Sequence, residues 1–310
     1  MVLNVLFAAR DGLWPDYEAH LPAAFAKAGL DVNLQRDHAP EDVDYIIFAP
    51  HDGLTDFTPF TRAKAVLSLW AGVESIIVNE TLTQPLTRMV NPGLTRGMVE
   101  WVTGHVLRHH LGMDRQILNQ DGTWTPVVPP LAEDRKVTVL GLGALGAACA
   151  TALTGLGFDV TGWSRSRKAI DGAQCLSGDA GMDDALRGAE IVVLLLPDTA
   201  ATENALNTKS LALLAKGAFV VNPGRGPLID DDALLAALDS GQVAHATLDV
   251  FRVEPLPAEH PFWAHPSVTV TPHIAAETRP KTAAIEIAAN IARSERGEAM
   301  LHLVDRNTGY

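Results

Sequence analysis

The chain reads as an α/β protein of two Rossmann-like/flavodoxin-like parallel-sheet lobes, with the second lobe inserted in the first. Near-continuous apolar strands alternate with helical stretches from the N-terminus. The same pattern restarts after a turn-rich connector, and the last helix then leaves the second block. A length of 310 residues is long for one hydrophobic core and agrees with two.

In the first block Leu3 to Ala8 reads as a strand and Trp14 to Ala28 as a helix ending at Gly29. Val32 to Leu34, Tyr45 to Phe48, Ala65 to Leu69 and Ile76 to Val78 read as further strands. Gly97 to Leu111 follows as an amphipathic helix, and Gln120 to Pro130 is the connector. Strands resume at Val137 to Leu140, Val160 to Trp163, Ile191 to Leu196, Phe219 to Val221, His245 to Leu248 and Val268 to Val270, and a helix over Pro280 to Arg296 closes the chain. Residues 1–96 with 279–310 thus form one lobe and 97–278 the other.

A content of 47% hydrophobic and 20% charged residues is that of an ordinary soluble protein. The longest apolar run, Ile191 to Leu196, is too short to cross a bilayer. Met1 to Ala9 lacks the basic start and cleavage pattern of a signal peptide, and the two cysteines, Cys149 and Cys175, fit a reducing cytoplasm. A net charge of −13 disfavours nucleic acid and anionic membranes as partners. It would also repel an anionic substrate at long range, so the positions of the few arginines become informative.

Lys136-Val-Thr-Val-Leu-Gly141-Leu-Gly143-Ala144-Leu145-Gly146 places G-x-G-x-x-G after a strand and at the start of a helix. Gly141 permits a tight turn, Gly143 lets backbone approach a diphosphate, and Gly146 lets helix and strand pack closely. The free N–H groups and positive dipole end of the helix then suit a dinucleotide. The next strand ends in Trp163-Ser164-Arg165-Ser166-Arg167-Lys168, where an NAD enzyme commonly carries a carboxylate for the ribose 2′-hydroxyl. Hydroxyls and guanidinium groups there suit a 2′-phosphate, so NADP(H) is preferred and NAD(H) stays possible. A merely solvated basic turn would use the same residue types.

Three further residues follow predicted strands of the same lobe. Arg225 lies in Asn222-Pro223-Gly224-Arg225-Gly226, Glu254 in Leu248-Asp249-Val-Phe-Arg-Val-Glu254-Pro255, and His273 in Thr271-Pro-His273-Ile-Ala. Reduction of a small 2-oxo acid needs a planar cation to grip the carboxylate and polarise the carbonyl. It also needs an acid near neutral pH and a carboxylate that orients that acid. Taken singly, each residue has a bland reading as a loop charge or structural histidine. Their succession after three strands favours the catalytic set Arg225, Glu254 and His273.

These motifs resemble the D-isomer-specific 2-hydroxyacid dehydrogenases, in particular the glyoxylate/hydroxypyruvate reductase branch. The resemblance also rests on His260-Pro-Phe-Trp263 and on the tail Val304-Asp-Arg-Asn-Thr-Gly-Tyr310. It implies that the first lobe binds substrate and the second NADP(H), that Arg225 and His273 contact substrate, and that His273 is the acid. It implies that Leu196, Pro197, Pro223 and Asp249 line the nicotinamide side. It further implies that the loop Trp70-Ala71-Gly72-Val73 holds the substrate carboxylate through backbone N–H groups. The family more often has Gly where Trp70 stands and Asp where Glu74 stands, so the substrate side chain is left open.

A homodimer is expected, with the Gly97 to Leu111 helix and the arm up to residue 130 at the subunit contact. Trp124 either reaches the neighbour's pocket or packs in the interface. The activity implied is reduction of glyoxylate to glycolate and of hydroxypyruvate to D-glycerate. A bulkier 2-oxo acid, or a non-catalytic dinucleotide-sensing role, is the alternative.

No metal is expected. His105 and His109 lie four apart on a helix but lack a third ligand, and read instead as a solvated or interface face. Cys149 reads as a packing residue and Asp230-Asp231-Asp232 as a helix N-terminal charge cluster.

Overall fold

Alternate residues of the first sheet go to opposite faces, and both faces are apolar. Leu3, Val5 and Phe7 pack into one core with Tyr45, Ile47, Ala65 and Leu67. Leu6 and Ala8 pack into another with Ile46, Phe48 and Val66. A sheet buried on both sides is what βαβ crossovers produce.

The computed structural model describes residues 2–306, so Asn307 to Tyr310 of the tail quoted above lie outside the described residues. The chain divides into two units, Met1–Leu94 with Thr278–Tyr310, and Thr95–Glu277. In the first unit, β1 (Leu3–Ala8), β2 (Val32–Gln35), β3 (Tyr45–Phe48), β4 (Ala65–Ser68) and β5 (Leu86–Thr87) run in the order β2-β1-β3-β4-β5. All pairings are parallel, which is the flavodoxin-like arrangement. The final helix, Pro280–Glu295, returns to this unit and buries Ala283, Ala284, Ile287, Ala288 and Ile291 against Leu21 and Phe25.

The second unit holds β6 (Lys136–Leu140), β7 (Asp159–Ser164), β8 (Ala173–Ser177), β9 (Ile191–Leu194), β10 (Ala218–Asn222), β11 (Val243–Leu248) and β12 (Val268–Val270). They form one parallel sheet in the order β12-β11-β10-β9-β6-β7-β8. The order reverses between β6 and β9, and a crevice at the carboxyl ends of such strands is where open α/β sheets bind ligands. Among the described residues no helix is long and apolar enough to cross a membrane.

Five elements differ from the sequence expectation. Ile76 to Val78 is not a strand; Glu74–Ile77 is a helical turn, with the N–H groups of Ile76 and Ile77 both bonded to the Val73 carbonyl. Val78 is 74% exposed, so the apolar run is not a buried one. The missing neighbour of β4 is instead β5, whose two residues between Pro85 and Arg88 are too few to show a pattern. Trp14 to Ala28 is two helices, Trp14–Tyr17 and His20–Lys27, because Pro22 lacks an N–H and its ring opposes the Glu18 carbonyl. The edge strand β8, only partly buried, and the exposed short helix Met113–Leu118 also have no counterpart in the sequence expectation.

Candidate active site

The glycine-rich turn follows β6 directly. Gly141 has φ of 101°, and a Cβ there would come within 2.4 Å of the Leu195 carbonyl oxygen, so the turn passes tightly against the end of β9. At Gly146 a Cβ would fall 1.7 Å from the Gly141 carbonyl oxygen, which forces glycine where helix crosses strand. Gly143 is the contrast: nothing lies within 4 Å of its added Cβ, and Gly143 and Ala144 are exposed. It stands at the N-terminus of helix Ala144–Gly155, where no side chain caps the backbone. An open cradle with uncapped N–H groups at a positive helix end fits a diphosphate.

The basic turn after β7 is exposed from Arg165 through Lys168. Trp163 and Ser164, expected to touch cofactor, are buried and serve the fold. The Trp163 indole donates to the Gly178 carbonyl at 2.8 Å, and its carbonyl accepts from Gly141 N–H at 2.8 Å. The Ser164 hydroxyl donates to the Ser166 carbonyl at 2.7 Å and so shapes the turn. Leu196 and Pro223 are likewise enclosed, Leu196 within the core, whereas Pro197 is half-buried. Strand ends pack tightly, and their side chains are spent on that packing.

The turn Asn222 to Gly226 is built by its own polar atoms. Asn222 accepts from Gly224 N–H at 3.1 Å and donates to the Arg225 carbonyl at 2.9 Å. A Cβ on Gly226 would lie 1.9 Å from the Phe251 carbonyl carbon, so this turn and the one after β11 are in backbone contact. Asp249 N–H donates to the Asn222 carbonyl at 3.0 Å and ties the same two turns together.

Glu254 has both oxygens engaged. One accepts from Phe251 N–H at 2.9 Å and the other meets His273 Nδ1 at 2.7 Å. A carboxylate can only accept, so Nδ1 carries the proton and Nε2 is the nitrogen that titrates. The hydrogen bond from Glu254 pushes the His273 pKa above the ordinary 6.5. Burial and the Arg225 charge oppose that rise, while the charges of Glu254 and Asp249 add to it. For Glu254, burial works to raise the pKa. The bonds from His273 and Phe251 N–H and the positive charges of His273 and Arg225 outweigh it and hold the pKa below the ordinary carboxylate value. The structure therefore brings Arg225, Glu254 and His273 into one electrostatic cluster, with the imidazole about half exposed.

Asp249, expected on the nicotinamide side, is fully enclosed. Its oxygens accept from Thr271 Oγ1 at 2.5 Å, Ile274 N–H at 2.9 Å and Ala275 N–H at 2.8 Å. Sequence reasoning missed Thr271 as its partner, since nothing in a Thr-Pro-His triplet marks the hydroxyl as engaged.

In the first unit, the loop after β4 carries Trp70, Ala71, Gly72 and Val73. Ser68 braces it by accepting from Trp70 N–H at 3.0 Å, and Met89 N–H donates to the Trp70 carbonyl at 2.9 Å. Among the described residues the N–H groups of Ala71, Gly72 and Val73 donate to no protein acceptor, which suits an anionic guest. The Trp70 residue is 43% exposed.

Among the described residues no group of three or more His, Cys, Asp or Glu could hold a metal. His109 is not on a solvated helix face as expected. It is buried, stacked on Phe219 and bonded to Thr247 Oγ1 at 2.9 Å, and burial pushes its pKa down to about 3. Helix Pro92–His110 lies against the sheet, and this face packs on β10 and β11. Cys149 is buried, which pushes its thiol up to about 12, and Asp230 caps its helix by accepting from Ala233 N–H at 3.1 Å.

Residues 102–275 match the model described as "D-isomer specific 2-hydroxyacid dehydrogenase, NAD binding domain". A protein named glyoxylate/hydroxypyruvate reductase A from Serratia proteamaculans is 42% identical over 88% of this chain and 89% of its own. A D-isomer specific 2-hydroxyacid dehydrogenase of Xanthobacter autotrophicus Py2, solved with NADPH and MES, is 41% identical with a TM-score of 0.91 over 99% of both chains. An NADPH-dependent glyoxylate/hydroxypyruvate reductase of Sinorhizobium meliloti, solved with NADP and sulfate, is 33% identical with a TM-score of 0.84, covering 100% of this chain and 99% of that one. The chain belongs to the D-isomer specific 2-hydroxyacid dehydrogenases.

Proposed function

We propose that the enzyme reduces glyoxylate to glycolate and hydroxypyruvate to D-glycerate, with NADPH as the preferred reductant. The observation that carries this reading is the hydrogen bond that His273 Nδ1 donates to Glu254, formed beside Arg225 in the same lobe as an open glycine cradle. The relatives named as glyoxylate/hydroxypyruvate reductases support the substrates, and those solved with NADPH or NADP support the cofactor.

Gly143, Ala144 and Leu145 would hold the diphosphate, and Arg165, Ser166, Arg167 and Lys168 the 2′-phosphate. When bound, NADPH supplies a hydride to the substrate carbonyl carbon. Arg225 grips the substrate carboxylate and polarises the carbonyl, and in the first unit the N–H groups of Ala71, Gly72 and Val73 suit a carboxylate as well. His273, protonated at Nε2 because Glu254 holds its pKa up, delivers that proton to the carbonyl oxygen. The bulky Trp70 indole beside the carboxylate loop favours small substrates over large ones.

Exposed apolar residues cluster in sequence at Leu111, Met113, Ile117, Leu118, Trp124, Val127, Val128 and Leu131. We propose that a second copy of the chain covers them, as an apolar stretch of this kind is costly to leave in water. Sedimentation at micromolar concentration should give a dimer, and a monomer would refute it. Two unpaired cysteines agree with action in the cytoplasm.

The deciding assay is a panel of 2-oxo acids with NADPH and NADH, run on the native enzyme and on Arg165→Ala. Glyoxylate and hydroxypyruvate should give the highest kcat/KM. Loss of one charge-assisted contact costs about 1.5–3 kcal/mol, so the variant should raise KM for NADPH by about one to two decades and spare NADH. Equal use of both cofactors by the native enzyme would overturn the NADPH preference. A best substrate with a bulky side chain would favour the broader reductase, and no turnover at all a sensing protein.

A further inference from the structure

His273 has φ of 54°, a left-handed conformation that residues bearing a side chain rarely adopt. Neighbouring groups must hold it there, and in the structure they converge on Asp249. The Asp249 carbonyl accepts from His273 N–H at 2.9 Å. Its carboxylate accepts from Ile274 N–H at 2.9 Å and Ala275 N–H at 2.8 Å, the two residues that follow. The Thr271 hydroxyl, two residues before His273, donates to the same carboxylate at 2.5 Å. The loop bearing the imidazole is thus clasped on both sides by one buried residue. Asp249 N–H in turn bonds to the Asn222 carbonyl, the base of the turn carrying Arg225.

We propose that Asp249 and Thr271 form a latch of positioning residues that holds His273 in reacting orientation. The inference rests on the reading of His273 as the acid. The charged groups acting on His273 are Glu254 and Asp249, which favour the imidazolium, and Arg225, which opposes it. Neutralising Asp249 removes the smaller of the two charges that favour the imidazolium, so the His273 pKa shifts downward while the bond to Glu254 still holds it up.

The test compares Thr271→Val, Thr271→Ser and Asp249→Asn with the native enzyme, each assayed with NADPH and the best 2-oxo acid. Thr271→Val should lower kcat about tenfold with KM for NADPH within about twofold, and Thr271→Ser, which keeps the hydroxyl, should restore most of the rate. In Asp249→Asn the alkaline limb of kcat/KM should move to lower pH. The His273 titration, followed by NMR on histidine-labelled protein and assigned with His273→Gln, should move the same way. If Asp249→Asn fails to fold, the Thr271 pair and its titration decide alone, since Thr271→Val also weakens the hold on the loop. Native kcat in Thr271→Val, or variants that change only NADPH affinity, would overturn the latch and return Asp249 to the cofactor side. Full turnover by His273→Gln would instead refute the acid reading, while a shifted titration would still report the latch.

Discussion

Replacing Glu254 by Gln removes the charge that faces His273 and leaves the volume almost unchanged. Both Glu254 oxygens accept hydrogen bonds, one from Phe251 N–H and one from His273 Nδ1. An amide offers one acceptor, so in either orientation its NH₂ opposes one of these donors. A charge-assisted hydrogen bond contributes about 1.5–3 kcal/mol when shielded from water. Here the side chains are 54% and 35% exposed, and solvent screening brings the figure down to about 1 kcal/mol. At about 1.4 kcal/mol per pKa unit, the His273 pKa should fall by roughly half to one unit.

The sign follows from the proton. On the proposed role of His273 as the acid, reduction requires it protonated, and Glu254 raises its pKa, so the rate should hold below that pKa and decline above it. In Glu254→Gln the decline begins at lower pH, and at alkaline pH the rate drops a further ~3–10-fold relative to its own plateau. The plateau itself should fall about tenfold, because the imidazole loses its fixed orientation. Steady-state NADPH oxidation across pH, with 2-oxo acid varied, separates the two effects. An unmoved or alkaline-shifted limb would refute the assignment of Glu254 as the group that favours the imidazolium.

The glycines of the cradle should separate binding from folding. Gly143→Val, whose side chain enters open space, should abolish measurable NADPH binding by fluorescence titration and leave Tm nearly unchanged. Gly146→Ala should lower Tm sharply, since its Cβ meets the Gly141 carbonyl; equal Tm values for the two variants would contradict the packing argument. His109 predicts acid lability. Its pKa is depressed to about 3 in the folded chain, so its contribution is complete above the unfolded value of 6.5 and is lost as pH falls below it. Between pH 7 and pH 5 this amounts to about 2 kcal/mol. The Tm of His109→Gln should therefore fall less over that interval than the native one in scanning calorimetry, and parallel pH profiles would argue against it.

Local chemistry announced much of this protein. G-x-G-x-x-G between a strand and a helix specifies a backbone geometry that few other residues can adopt, so Gly141, Gly143 and Gly146 were legible with their separate roles. Arg225, Glu254 and His273 could be proposed together because each lies shortly after a segment that reads as a strand, and a parallel sheet brings strand ends to one edge. Short or exposed elements were not legible. β5 has too few residues for a period, and the Ile76 to Val78 run looks buried although water reaches Val78.

Tertiary structure alone decided which side chains are free to act. Trp163, Ser164 and Asp249 sit in motifs that suggest ligand contacts, and at the strand ends they are buried with polar atoms already bonded within the lobe, which the motifs do not announce. The same holds for His109, whose spacing on a helix says nothing of the Phe219 ring beneath it. A residue's type and place in the chain determine what chemistry it can offer. Whether its donors and acceptors are already taken depends on neighbours far away in sequence, and those are set only when the sheet and its loops close together.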